Sequence, residues 1–234
     1  YTRTSTKPIT NVNTKERIME IDVILLSYTK NDSIFTMTKK CIESIINSEK
    51  EHSFNIILVE TEKSGKYNYD YKEVNIVIPN ETFNYNKFLN IGLKYCKNDW
   101  VLISNNDTEY KEGWLTEMLK QNEKDENLLS MSPFCPNWNP HLNSFKKGKE
   151  VYYGYRTSYE IAGWSLLINT KVIETIGGKF DERFSFWYQD NDYAKTIQKK
   201  GIKHALIRNT SVYHYVSKSH SLIEKNKQTQ MTHG

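Results

Sequence analysis

The sequence predicts an α/β protein built on a doubly wound, mostly parallel β-sheet flanked by helices. Three observations carry that reading. Short apolar, β-branched runs of strand length recur through the first hundred residues. Segments of helical spacing fall among them, and strands that alternate with helices are joined by right-handed crossovers, which makes the sheet parallel. A chain of 234 residues is long enough for one large domain with a sizeable core.

Residues 1–20 form a polar lead, "YTRTSTKPITNVNTKER" and its continuation, with no initiating methionine and no apolar signal core, so the start reads as trimmed or fragmentary. The run "IDVILLS", Ile21 to Ser27, is the first central strand, of the kind buried on both faces. Ile34, Cys41, Ile42, Ile45 and Ile46 then repeat at helical spacing, with Asp32 or Ser33 as N-cap. "FNIILVE" (Phe54 to Glu60), "VNIVIP" (Val74 to Pro79) and "WVLIS" (Trp100 to Ser104) are the next strands, with a helix over Lys87 to Tyr95 before the last. From Leu128 the character changes: Pro133, Pro136 and Pro140 interrupt an aromatic loop, and "IAGWSLLIN" is a strand-like run leading into a short helix that stops at Gly177 and Gly178. A last helix starts at the acidic pair Asp190 and Asp192 and runs to Gly201. The division expected is a single domain over 21–219, with 21–107 as one half and 108–219 as the other, and a C-terminal tail over 220–234.

Composition removes several classes of function. With 38% hydrophobic and 26% charged residues the chain has a core and is not a disordered polyelectrolyte, and no apolar run approaches the ~18 residues needed to cross a bilayer. A formal charge of +4, spread along the chain, gives no reason to expect nucleic acid as a partner. Three widely spaced cysteines, Cys41, Cys96 and Cys135, argue against a disulfide framework or a zinc site and for a reducing, cytoplasmic compartment. Peripheral association with the inner face of a membrane is compatible with that setting.

In a sheet of this kind ligands bind beyond the carboxyl ends of the strands, which singles out Tyr28, Thr29 and Lys30, then Glu60, Thr61 and Glu62, then Asn105, Asn106 and Asp107. Neither a G-x-G-x-x-G turn nor a G-K-[ST] loop is present, so a dinucleotide site and a Walker cradle are not supported. The Asn105-Asn106-Asp107 triplet supplies oxygen donors of the type a hard divalent cation takes, and it is equally a common turn composition. Asp190 and Asp192 read either as carboxylates suited to a helix N-terminus or, beside Trp187, Tyr188 and Gln189, as carboxylates in a partly apolar cleft where one is tuned as a general base. His214, in the alternating run "SVYHYV", is a ligand or a satisfied core residue. The tyrosine-rich "GKYNYDYKE" reads as a solvated loop or edge strand without chemistry, and Trp164 as core.

Five pieces in order carry a resemblance: "VILLSYTKND", "IILVETEKSG", "NIGLKYCKNDWVLISNNDT", "GWSLLINTKVIETIGGKFDERF" and "WYQDNDYAKTIQKKG". Together, from Ile21 to about Ser219, they resemble the family 2 glycosyltransferases of GT-A fold, a Rossmann-like sheet with a nucleotide-binding first half and an acceptor-binding second half. The resemblance implies an inverting transfer of a sugar from a nucleotide-sugar, a UDP-sugar by first choice, to a hydroxyl of a glycan or glycoconjugate. It implies that Ser27, Tyr28, Thr29, Glu60, Asn90, Asn105 and Asn106 bind the nucleotide-sugar. Asp107, His214 and Asn105 would hold a divalent metal, Mn2+ in preference to Mg2+, and Asp190 would be the general base. Gly163, Trp164, Trp187 and Asp192 would form the acceptor side, with Trp164 as a stacking platform beside Phe186, Trp187 and Tyr188. Three positions depart from the family pattern: Gln189 stands where an acid is usual, Asn105 where an aspartate is usual, and Leu89 where an arginine is frequent. The competing readings are a catalytically degenerate nucleotide- or glycan-binding module on the same fold, and a nucleotidyl transferase, the latter disfavoured by the lack of a Gly-rich basic loop after the first strand.

Overall fold

A computed structural model describes residues 18–139, 149–184 and 188–215. Its centre is an eight-stranded mixed sheet, with a separate two-stranded ribbon at one edge.

Strand β1 (Glu20–Ser27) is buried from its second residue to its last, as its uninterrupted apolar run requires, and it lies between β2 (Ser53–Glu60) and β4 (Trp100–Asn105), parallel to both. Strand β3 (Val74–Val77) adds a fourth parallel strand beside β2. Helix α1 (Asp32–Asn47) covers one face with Ile34, Thr38, Cys41, Ile42 and Ile45, a stripe at three- and four-residue spacing. Its N-cap is Asn31 rather than Asp32 or Ser33. The Asn31 carboxamide oxygen accepts the Ile34 amide at 3.0 Å, and Asp32 falls in the first turn, where its charge suits the helix dipole. Helix α2 (Tyr85–Leu93) covers the other face and begins two residues earlier than its periodicity suggests, because Asn84 caps it by accepting from the Lys87 amide at 2.9 Å.

The mostly parallel sheet expected from the sequence is what the chain forms, and its second half supplies the strands that run the other way. Strand β5 (Thr108–Tyr110) and helix α3 (Trp114–Lys124) follow β4. Strands β6 (Ser130–Pro133) and β7 (Val151–Tyr153) come next, then β8 (Ser165–Asn169) and the short helix α4 (Thr170–Thr175). Helix α5 (Gln189–Lys199), β9 (His204–Ile207) and β10 (Val212–His214) complete the described chain. The sheet order is β3-β2-β1-β4-β8-β6-β9-β7, with β8 antiparallel to both β4 and β6.

That reversal decides which residues meet at the sheet edge. Strands β1, β2 and β4 bring their carboxyl ends to one edge, whereas β8 runs the other way and brings its amino end there, with Ser104 opposite Ser165. Gly163 and Trp164, which precede β8, are thereby delivered to the edge where Asn105 leaves β4. The β5–β10 ribbon pairs Thr108 with His214, which sets that histidine beside Asp107.

Apolar packing on the two faces forms two core clusters, one around α1 and α3 and one around α2 and α5. At the opposite end of β1 the buried Asp22 carboxylate accepts hydrogen bonds from the Lys97 and Asn98 amides, both at 2.6 Å, and from the Asn55 and Asn98 carboxamides, so its burial is compensated. All three cysteines are unpaired. Among the described residues no helix is long and apolar enough to cross a membrane.

Candidate active site

The turn after β1 and the end of β2 are locked by one carboxylate. Glu60, 5% exposed, accepts the Thr29 and Glu62 amides on Oε1, both at 2.9 Å, and the Thr29 hydroxyl on Oε2 at 2.6 Å. The Tyr69 hydroxyl reaches Thr29 Oγ1 at 2.6 Å, Ser27 Oγ lies 2.9 Å from Thr29 Oγ1, and the Asn106 carboxamide donates to Thr38 on α1 at 2.9 Å and to Ser27 at 3.3 Å. This is a connected polar network in which most members are buried, and such networks fix geometry when every group is satisfied. Beside it lies a cavity of about 270 Å³, lined by Thr29 and Glu60, by Tyr67 and Asn68 of the loop after β2, and by Ile76 and Ile78. Phe35 of α1 stacks on Tyr67 with ring centroids 5.0 Å apart and holds that wall.

The end of β4 carries a second cluster. His214 Nε2 lies 3.2 Å from Asp107 Oδ1, and both side chains are nearly buried. The imidazole stacks on Trp164, centroids 5.0 Å apart and planes 12° from parallel, with Trp138 edge-on from another side. Its Nδ1 has no hydrogen-bond partner among the described residues. The Tyr85 hydroxyl, at the start of α2, lies 3.5 Å from both Asn105 Oδ1 and the Gly163 carbonyl oxygen. Burial, reinforced by the negative charges of Asp190 and Asp107, pushes that phenol well above its usual range and keeps it a neutral donor.

Across from these stands the N-terminus of α5. Its cap, Tyr188, is a non-glycine residue at φ 66°, a left-handed conformation that costs energy and turns the chain sharply into the helix. Asp190 follows in the first turn, and its Oδ1 accepts from the Asn191 amide at 2.9 Å. Gly163 packs directly beneath it: a Cβ at that position would lie 2.9 Å from Asp190 Cβ and 3.3 Å from Oδ2. No residue with a side chain fits there without displacing the carboxylate.

The structure thus gathers Ser27, Thr29, Glu60 and Asn106 into one cluster, and brings Asn105, Asp107, His214, Gly163, Trp164 and Asp190 together at the adjoining edge. Other expectations are corrected. Ser27 and Thr29 are 4% and 0% exposed, so they shape the turn after β1 from within, while Tyr28, 56% exposed, is the residue of that turn that faces outward. Asn90 spends its carboxamide on the chain itself, bonding Phe180 through both its oxygen and its nitrogen and reaching Glu182 at 2.9 Å, which pins α2 to the segment before α5. Trp164 is 4% exposed and belongs to the core, so it offers no open ring face for an acceptor to stack on. Asp192 turns toward Asp181 and Arg183, and burial raises its pKa with the Asp181 charge adding to the shift. Trp187 and Phe186 lie outside the described residues.

Three further contributors escape a reading of the sequence. Tyr85 lies before the helix expected over Lys87 to Tyr95, and its hydroxyl gains meaning only when α2, which begins at Tyr85, is laid on the sheet. Tyr69 sits in the tyrosine-rich segment expected to be solvated, yet it is 3% exposed and bonded to Thr29. Thr38 is visible in advance only as the polar member of an otherwise apolar helical stripe.

The same fold occurs in known proteins. The family model "Glycosyl transferase family 2" matches residues 22–173, well over half of the chain. The chain belongs to glycosyl transferase family 2. The match takes in β1 to β8 and most of α4, and Asp190 and His214 lie beyond the matched stretch. Among solved structures, "Crystal structure of GalNAc-T7 with UDP, GalNAc and Mn2+" superposes with a TM-score of 0.64 at 14% identity, covering 86% of this chain and 44% of that one. At that identity the likeness concerns the fold, which is GT-A. The chain spans less than half the length of that structure's chain. No curated protein sequence matches the glycosyltransferase chain significantly.

Proposed function

We propose that this family 2 glycosyltransferase transfers a sugar from a UDP-sugar to a hydroxyl of a glycan or glycoconjugate, with inversion and with the help of a divalent cation. The observation that carries the reading is the juxtaposition at one sheet edge of a nearly buried Asp107–His214 pair, a neutral Tyr85 hydroxyl, and an Asp190 carboxylate seated on Gly163.

The Asp107–His214 pair fits a cation. The separation of 3.2 Å between Nε2 and Oδ1 is close to the ~3 Å between adjacent ligands of an octahedral ion with bonds of ~2.1 Å. Asp107 and His214 would hold it, with Asn105 contributing a neutral oxygen. Among the described residues no group of three His, Cys, Asp or Glu side chains gathers to make a closed metal site, so further coordination falls to donor oxygens and water. A mixed nitrogen and oxygen set suits Mn2+ better than Mg2+. When bound, such an ion neutralises charge developing on the diphosphate leaving group.

The chain's own residues do the rest. Glu60 and the Thr29 turn shape the nucleotide end, with Tyr28 and the Tyr67–Asn68 wall beside it. Tyr85, a neutral donor 3.5 Å from Asn105 Oδ1 and from the Gly163 carbonyl oxygen, braces the end of β4 against the loop that carries Gly163. Asp190 accepts the proton of the incoming hydroxyl at its free carboxylate oxygen, a single displacement that needs no second nucleophilic carboxylate. A neighbour of the same fold holding UDP and Mn2+ supports the choice of nucleotide and ion. A cytoplasmic setting stays part of this reading and rests on the spaced, unpaired cysteines.

The test is UDP release from a panel of UDP-hexoses in manganese, with Asp190→Asn beside the wild type. Transfer falling by roughly 10²- to 10⁴-fold with UDP affinity kept is expected. Full turnover in Asp190→Asn would remove it as the base. A wild type that binds UDP but turns over no donor in the presence of glycan acceptors would favour the degenerate binding module, a reading that Gln189 and Asn105 keep in play.

A further inference from the structure

Behind the base, on the side away from the cleft, lies a buried polar chain that the transfer chemistry does not use. His204 of β9 is 1% exposed. Its Nδ1 lies 2.7 Å from Ser130 Oγ, which lies 2.7 Å from the Tyr193 hydroxyl on α5. Its Nε2 lies 3.0 Å from the Glu160 carbonyl oxygen and 3.3 Å from Ser132 Oγ, and Ser132 Oγ in turn accepts the Ala162 amide at 3.0 Å.

The chemistry of the partners fixes the direction of every bond. A carbonyl oxygen only accepts, so Nε2 carries the proton and donates to Glu160. Nδ1 then accepts from the Ser130 hydroxyl, and Ser130 accepts from the Tyr193 phenol. A neutral imidazole satisfies the whole chain, whereas a second proton, on Nδ1, would reverse the Ser130 and Tyr193 hydroxyls and take from the Tyr193 proton the acceptor it has in Ser130. Burial agrees with this, lowering the His204 pKa to about 4.

The two ends of this chain lie on either side of the base. Tyr193 is three residues, one helical turn, after Asp190. Ala162 immediately precedes Gly163, the floor on which Asp190 rests. We propose that His204, with Ser130 and Ser132, is a positioning residue that ties the helix carrying Asp190 to the loop carrying Gly163, so that both walls of the proposed base move as one. The proposal rests on the reading of Asp190 as the base. The floor and the carboxylate are then coupled through an imidazole that never touches substrate.

The experiment compares Tyr193→Phe, Ser132→Ala, His204→Leu and His204→Gln with the wild type by two readouts. One is hydrogen exchange in peptides spanning 160–166 and 189–195. The other is UDP release in manganese from the UDP-hexose on which the wild type is fastest. Tyr193→Phe removes a hydroxyl from α5 alone, and it should nonetheless lower protection in both segments. Ser132→Ala, at the loop end, should do the same. His204→Leu should lower kcat by about 10- to 100-fold with the donor KM unchanged, since a small misplacement of a base is costly. His204→Gln, which keeps an acceptor and a donor, should recover most of the loss. Ile45→Ala, a core change on α1 outside this network, is the stability control and should lower Tm without moving either segment or kcat.

Protection lost only in 189–195 with Tyr193→Phe, or only in 160–166 with Ser132→Ala, would overturn the proposal. So would network variants that behave like Ile45→Ala. Asp190→Asn separates coupling from chemistry: if it loses turnover while the network variants keep theirs, the coupling fails alone, and if it keeps turnover, the base assignment and the coupling fall together.

Discussion

On the proposed donor side of the sheet edge Glu60 takes three hydrogen bonds from its own chain, at 2.6 to 2.9 Å, whereas on the proposed acceptor side the hydrogen bonds to Asp190 among the described residues come from Asn191 alone. Both are carboxylates at the end of a secondary-structure element, Glu60 closing β2 and Asp190 in the first turn of α5. The first is spent on holding a turn closed and the second is left with acceptor capacity. A binding surface must exist before the ligand arrives, so its polar groups are satisfied internally. The carboxylate proposed as the base must keep an unclaimed lone pair, and Asp190 is held by packing against Gly163 and by its helix instead.

The contrast between the two sides breaks first if the packing is removed. Trp164→Ala deletes a buried ring stacked on His214, and like other core truncations should cost about 3–5 kcal/mol of stability. Thermal or chemical unfolding measures this. A loss near zero, with a raised acceptor KM, would restore Trp164 as an acceptor platform. Next in size is Gly163→Ala, whose new methyl meets Asp190 Cβ at 2.9 Å. A turnover loss of roughly 10²-fold with UDP affinity unchanged is expected, and steady-state kinetics with calorimetry resolve the two. Unaltered kcat would mean that the carboxylate tolerates displacement.

On the donor side, Glu60→Ala orphans the Thr29 and Glu62 amides. It should destabilise by about 1–3 kcal/mol and weaken UDP binding together, because fold and site share one group there. A variant that loses UDP affinity with full stability would show that Glu60 is spent on the ligand instead. The smallest effect is one of pH. In the folded chain His204 resists protonation until about pH 4, against an ordinary value of 6.5. Its contribution to stability is therefore complete above about pH 6.5 and is lost as pH falls from there through 4. His204→Gln should flatten that part of the stability profile, and an unchanged slope would contradict the neutral imidazole.

Much of the first half is legible in the sequence because β1, β2 and β4 are buried on both faces, and continuous runs such as "VILLS" have no other stable place. The strand ends follow, and with them Glu60 and Asp107. The second half is harder for physical reasons. Strands β5, β7 and β10 are three residues each, too short for any periodicity, and their pairing is decided by partners far along the chain. The reversal of β8 is invisible locally, yet it is what delivers Gly163 to Asp190. Asn90 looks like a donor contact from its position in a motif, while its carboxamide is consumed by Phe180 and Glu182, a tertiary contact that local sequence does not contain. Tyr85, Tyr69 and Thr38 stay hidden because a single hydroxyl on an apolar surface carries no periodic signal.

The most direct test of a metal-dependent transferase is calorimetric titration of UDP into the wild type and Asp107→Ala, each with manganese and with a chelator. A cation held by Asp107 predicts that the wild type loses at least about 10-fold in UDP affinity when manganese is withdrawn. It also predicts that folded Asp107→Ala binds UDP weakly and equally in both conditions, since neutral Asn105 cannot replace the lost charge. An Asp107→Ala variant whose UDP affinity still rises with manganese as the wild type's does would contradict it.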